Sequence, residues 1–100
     1  MEKINIFLDD CRITPSGYVR TYTVEQTIAL LEEYKGNIGI VSLDNDLGEG
    51  LKEGYNVAEW IEEQHYINDY PLPNGIIVHS MNPIARNRMS LIINRLYKEK

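Results

Sequence analysis

Ile38-Gly39-Ile40-Val41-Ser42-Leu43-Asp44-Asn45-Asp46-Leu47-Gly48 is the stretch whose reading decides the fold. The apolar run Ile38 to Val41 is bounded by Gly36-Asn37 before it and Gly48 after it, which predicts a fully buried strand of a parallel sheet. Asp44 and Asp46 then fall just past the strand's carboxyl end, where open α/β sheets bind ligands. A second apolar run, Ile4 to Leu8, ends in the same way at Asp9-Asp10. If the two strands are parallel neighbours, four carboxylates converge on one edge of the sheet. Like charges at that spacing repel unless something positive lies between them, so a divalent cation or a proton shared with chemistry is implied.

Outward from this strand the chain reads as a regular alternation. Cys11 to Gly17, with Pro15-Ser16-Gly17, is a loop, and Tyr18 to Tyr22 a short strand. Thr23 and Gln26 have capping-box spacing, opening a helix from Val24 to about Lys35 that stops at Gly36. Gly48 to Gly54 forms a glycine-rich loop over the acidic edge. A helix follows from Tyr55 to Tyr66, with Val57, Trp60 and Ile61 inward and Glu59, Glu62 and Glu63 on a solvated face. Gly75 to Val78 is another buried strand, ending at His79-Ser80. Asn82-Pro83 starts the last helix, because asparagine caps well and proline suits the first helical position.

The order β, β, α, β, α, β, α predicts one small α/β domain over residues 1–100, with about four mostly parallel strands and three helices. Strands joined through a helix should be parallel. The first connection is too short for a helix, so the direction of the second strand stays open. Only if it runs parallel to the first does Asp9-Asp10 meet Asp44.

Composition narrows the function classes. With 43% apolar and 25% charged residues the chain resembles an ordinary globular domain, and no stretch approaches the length of a membrane span. A cytoplasmic protein is expected. Cys11, the one cysteine, has no disulfide partner within the chain, in keeping with a reducing compartment, and the acids beside it disfavour its thiolate. The net charge of −5 argues against long double-stranded DNA and other polyanions, but leaves room for a small phosphorylated ligand held locally.

Asp9, Asp10 and Asp44 are the candidate ligands of Mg²⁺ or Mn²⁺, since hard cations take carboxylates plus water and substrate phosphate. Asp44, Asn45 and Asp46 could equally cap a turn, because Asx side chains fold back on their own backbone. His79, at a strand end beside Ser80 and Asn82, is either a satisfied interior residue or an acid and base. His65, near a helix end, reads as a surface residue. The helix beginning at Pro83 offers free amides, with Arg86 and Asn87 in its first turns, and such starts bind phosphate. Arg12 could reach either an acid or a phosphate.

Four motifs carry a resemblance. Leu8-Asp9-Asp10-Cys11-Arg12-Ile13-Thr14-Pro15, Ser42 through Gly48, Gly54 through Ile61, and His79-Ser80-Met81-Asn82-Pro83 through Met89 resemble the cyclic-phosphate processing receiver-like domains, compact relatives of response-regulator receivers. The resemblance implies a flavodoxin-like fold, an acidic pocket from the first and third strands, and a role on cyclic phosphates of nucleotides or RNA ends. It implies that Asp9 and Asp10 form the metal-binding pair, that Asp44 stands at the receiver's phospho-acceptor position and that Ser80 matches the hydroxyl ending the fourth strand. Asp44, Asp46 and His79 become catalytic candidates, with Arg12, Asn45, Ser80, Asn82, Arg86 and Asn87 lining the ligand site. Two departures stand out: no lysine matches the one ending a fifth receiver strand, and Asn45 occupies the place typical of a histidine. Three functions follow in order: a metal-dependent phosphoesterase, a non-catalytic nucleotide binder, and a receiver-like interaction module.

Overall fold

The computed structural model describes residues 2–98. The elements are β1 (Ile4–Leu8), β2 (Tyr18–Thr21), α1 (Val24–Glu33), β3 (Ile38–Leu43), α2 (Gly54–Asn68), β4 (Gly75–Val78) and α3 (Pro83–Tyr97). The sheet runs β2-β1-β3-β4 and every pairing is parallel. This is the receiver-type, flavodoxin-like arrangement predicted, in a compact form with four strands and three helices.

The open question about β2 is resolved by the turn after β1. Asp9 Oδ1 accepts from the Cys11 and Arg12 amides at 2.7 and 2.8 Å, which turns the chain back without a helix. Arg20 then ties that loop to β2, its Nε donating to Asp9 O and its Nη1 to Thr14 Oγ1. Parallel strands are usually joined through a helix, and here side-chain hydrogen bonds hold the short return in its place.

The crossovers β2 to β3 and β3 to β4 move the same way across the sheet, so right-handed connection puts α1 and α2 on one face. α3 packs beside α2, and a single core joins all three helices to Ile6, Leu8, Val41, Leu43 and Ile76. The opposite face of the sheet has no helix over it among the described residues. Alternation puts Phe7, Arg20, Ser42 and Ile77 on that face. β4 is accordingly a half-covered edge strand rather than a buried one: Ile76 is buried whereas Ile77 is 49% exposed.

Local differences from the sequence expectations have simple causes. α1 ends at Glu33, short of Lys35, with Gly36 at φ 86° completing the stop. Its capping box is shifted by one residue, because Thr23 Oγ1 accepts from the Gln26 amide while Gln26 Oε1 accepts from Tyr22 N. α2 continues past Tyr66 to Asn68, and Asp69 at φ 56° ends it in the left-handed conformation. Glu62 is not simply solvated but pairs with Arg95 in a two-pronged contact of 2.8 and 3.0 Å. His65 is half-buried, not surface, and Nδ1 donates to the Tyr70 carbonyl at 2.9 Å.

Candidate functional site

Parallel register places Asp9 and Asp44 side by side at the carboxyl edge, since Leu8 pairs with Leu43 and the Asp44 amide donates to Leu8 O. Asp10 follows directly, and ligand atoms of Asp9, Asp10 and Asp44 all lie within 4.8 Å of one another. Asp9 is 1% exposed, Asp44 half-buried and Asp10 exposed, so the trio opens outward from a buried base. Burial raises the proton affinity of Asp9, but the Arg12 and Cys11 amides and His79 outweigh it and hold the carboxyl below its usual range. Asp44 moves the other way, raised first by burial and then by the charge of Asp9. One acid is thus fixed as an anion and its neighbour is strained by that charge, a condition a cation relieves.

His79 completes the cluster from β4, two strands away. Nε2 lies 2.9 Å from Asp9 Oδ2 and Nδ1 lies 2.8 Å from Ser42 Oγ. An ionised Asp9 can only accept, so Nε2 carries a hydrogen, and in the neutral ring Nδ1 accepts from the Ser42 hydroxyl. The ring reaches across β3 because the residue beneath it is a small serine, and it stacks on Phe7 with centroids 4.5 Å apart. Neither Ser42 nor Phe7 was among the expected site residues, although Ser42 opens the central motif. Ser42 stands two residues before Asp44, so strand alternation alone puts both on one face, and a serine inside an apolar run was the available signal.

The other candidates separate into those near the acids and those that build the frame. Arg12 Nε lies 3.8 Å from Asp9 Oδ2 with its side chain half-exposed, free to turn toward a phosphate. Asp46 is exposed, outside the trio, and lines a cleft of about 440 Å³ with Asp10, Glu49 and Glu53. Only three of the four acids therefore converge, because the chain turns after Asp44. Asn45 faces inward at 2% exposure: its Oδ1 accepts from Tyr55 N at 3.0 Å and its backbone oxygen from Gly54 N. It joins the strand end to the start of α2, while its Nδ2 donates to Asp46 Oδ1 at 3.3 Å.

The start of α3 is also closed from within. Asn82 Oδ1 accepts from the Ile84 and Ala85 amides, both at 3.1 Å, and buried Ser80 Oγ accepts from Asn82 N. The amides read as an anion seat are therefore taken by the cap. Arg86 and Asn87 are exposed on α3, and among the described residues no ion pair links Arg86 to the acids. Asp9, Asp10, Asp44, His79 and Arg12 are the predicted residues that the fold gathers.

The family model described as the cyclic-phosphate processing receiver domain matches residues 4–95, nearly the whole chain. The chain belongs to that family. No curated protein and no solved structure matches it. As a cyclic-phosphate processing receiver domain, it carries acids at its strand ends and, among the described residues, a single helical layer, where doubly wound sheets have helices on both faces. Its three carboxylates suit a hard cation, which takes oxygen ligands and retains water or phosphate oxygens in the remaining positions. Asp9 already accepts three hydrogen bonds, so the carboxylate is pre-oriented before any ion arrives. No helix among the described residues is long and apolar enough to cross a membrane.

Proposed function

We propose that this domain binds the cyclic phosphate of a nucleotide or RNA end against Asp9, Asp10 and Asp44 and opens it by hydrolysis. The supporting observation is the hydrogen-bonded series Asp9, His79, Ser42, set on the acid trio. Hydrolysis adds water to phosphorus, breaks one ring P–O bond and returns a proton to the oxygen that leaves. A divalent cation held by Asp9, Asp10 and Asp44 would neutralise the phosphate and stabilise charge building on its oxygens.

His79 moves the proton. When doubly protonated, it redirects the Nε2 hydrogen from Asp9 Oδ2 to the leaving oxygen and keeps the other on Nδ1, where Ser42 Oγ accepts it. The neutral ring then takes a proton back from the attacking water through Nε2. Asp9 orients the ring, and Phe7 beneath it fixes its plane. Arg12 offers the phosphate a cation at the rim.

The test is incubation with 2′,3′-cyclic nucleotides, cyclic dinucleotides and cyclic-phosphate-ended RNA, with and without Mg²⁺ or Mn²⁺, read by mass spectrometry. Metal-dependent linear product, lost in Asp44→Asn and His79→Ala, is expected. Equal product from both variants would overturn the proposal. Measurable binding with ligand recovered intact would make the domain a nucleotide sequesterer instead.

A further inference from the structure

The helix-free face of the sheet runs without interruption into the acid site. At the carboxyl edge the row across the strands is Tyr22, Asp9, Asp44 and His79, because Thr21, Leu8, Leu43 and Val78 are in register immediately before them. Tyr22 shares its face with Arg20 by alternation, and the Arg20 guanidinium lies over its ring at 4.5 Å. Arg20 also stands over Phe7 at 5.8 Å, and Phe7 is stacked against His79. Tyr18 meets Phe7 edge-on at 6.1 Å. Tyr22, Arg20, Phe7 and His79 thus form a continuous series of flat groups that begins at the rim and ends inside the site.

From this surface we infer that the domain holds the base of its nucleotide, stacking it on Tyr22 and Arg20 while the phosphate lies at the acids. The inference rests on the phosphate placement proposed above and adds where the base is held and that the protein grips it. Three observations favour a base over another occupant. Neighbouring strands are about 5 Å apart, so Tyr22 stands one strand from Asp9, within the span of the sugar that separates base from phosphate. Tyr22 is 53% exposed whereas Phe7 is 6% exposed, which leaves an open ring at the rim resting on a filled interior. The cations here, Arg20 and Arg12, complement a phosphorylated ligand on a chain of net charge −5. Exposed aromatic and guanidinium planes on a four-stranded sheet accept unpaired bases with little regard to sequence.

The experiment compares two probes on the wild type, Tyr22→Ala and Tyr22→Phe. One is the 2′,3′-cyclic phosphate of 2-aminopurine riboside, whose fluorescence is quenched by stacking. The other is glycerol cyclic phosphate, which has no base. Quenching on binding, lost with an affinity decrease of about 5- to 150-fold in Tyr22→Ala and retained in Tyr22→Phe, is expected from one base–aromatic stack. Glycerol cyclic phosphate should respond equally to all three proteins. If it is opened as well as the nucleotide, and Tyr22→Ala changes neither, base stacking is overturned while hydrolysis stands. Tyrosine-dependent quenching without turnover supports the stack and overturns hydrolysis alone. Binding of neither probe overturns both. If Tyr22→Ala alters the oligomeric state by gel filtration at unchanged nucleotide affinity, the face is a protein interface and the inference fails.

Discussion

Asp9 and Asp44 occupy neighbouring positions just past the ends of β1 and β3, yet their protonation is biased in opposite directions. Asp9 has a lowered folded-state pKa, so it contributes stability above the unfolded value near 3.9 and loses it as pH falls through the folded one. Asp44 has a raised one. Its contribution is present below the unfolded value and is lost as pH rises through the folded value. At neutral pH, in a chelator, Asp44→Asn should therefore melt higher than the wild type and Asp9→Asn lower. Thermal melts between pH 5 and 8 check this, and the reverse order would contradict the charge arrangement. Asn45 gives a second expectation. Its buried carboxamide serves Tyr55 N, so Asn45→Ala should cost about 1–3 kcal/mol by urea unfolding with metal affinity unchanged. Asn45→His should also destabilise, because the buried site is filled and the imidazole is bulkier than the carboxamide it replaces. The identity of position 45 was readable in the sequence, but its direction was not.

At the scale of elements, the starts of α2 and α3 decide where the acidic edge is held. Gly54 lies against the Asp44 carbonyl so closely that a Cβ there would collide with backbone, and the residue closes the loop from Asn45. Gly54→Ala is expected to cost about 1–3 kcal/mol, the range of overpacking, and to displace Asp44. A lowered urea midpoint together with weakened metal binding would show both effects. Asn82→Ala removes the cap of α3 and should cost about 0.5–2 kcal/mol while leaving metal affinity intact. A loss of metal binding in that variant would place the start of α3 in the site after all. The helix starts themselves were legible, since Thr23, Gln26, Asn82 and Pro83 are local signals. That Asn82 consumes the amides it caps was not read from them, and it changes an anion seat into a closed end.

For the whole molecule, the cation proposed for the acid trio would make folding and cation binding one equilibrium. A cation that binds only the folded state at a hundred times its Kd adds about 2.7 kcal/mol. In a domain of this size about 1 kcal/mol moves Tm by roughly 4–8 °C. Saturating Mg²⁺ or Mn²⁺ should thus raise the wild-type Tm by about 10 °C or more, and Asp44→Asn should lose that rise. A wild-type melt indifferent to both ions would remove the metal from the proposed function.

Hydrophobic periodicity, turn residues and the positions of Asp9, Asp10 and Asp44 determined the type and order of every element and which strand ends are acidic. These signals act over a few residues and are visible in any linear reading. The parallel direction of β2, the bare face of the sheet and the inward turn of Asn45 were decided by tertiary structure. So was the placement of His79 between Asp9 and Ser42, partners 70 and 37 residues away in the chain. Strand register and crossover order set those pairings, and neither is encoded in the spacing of the residues that meet.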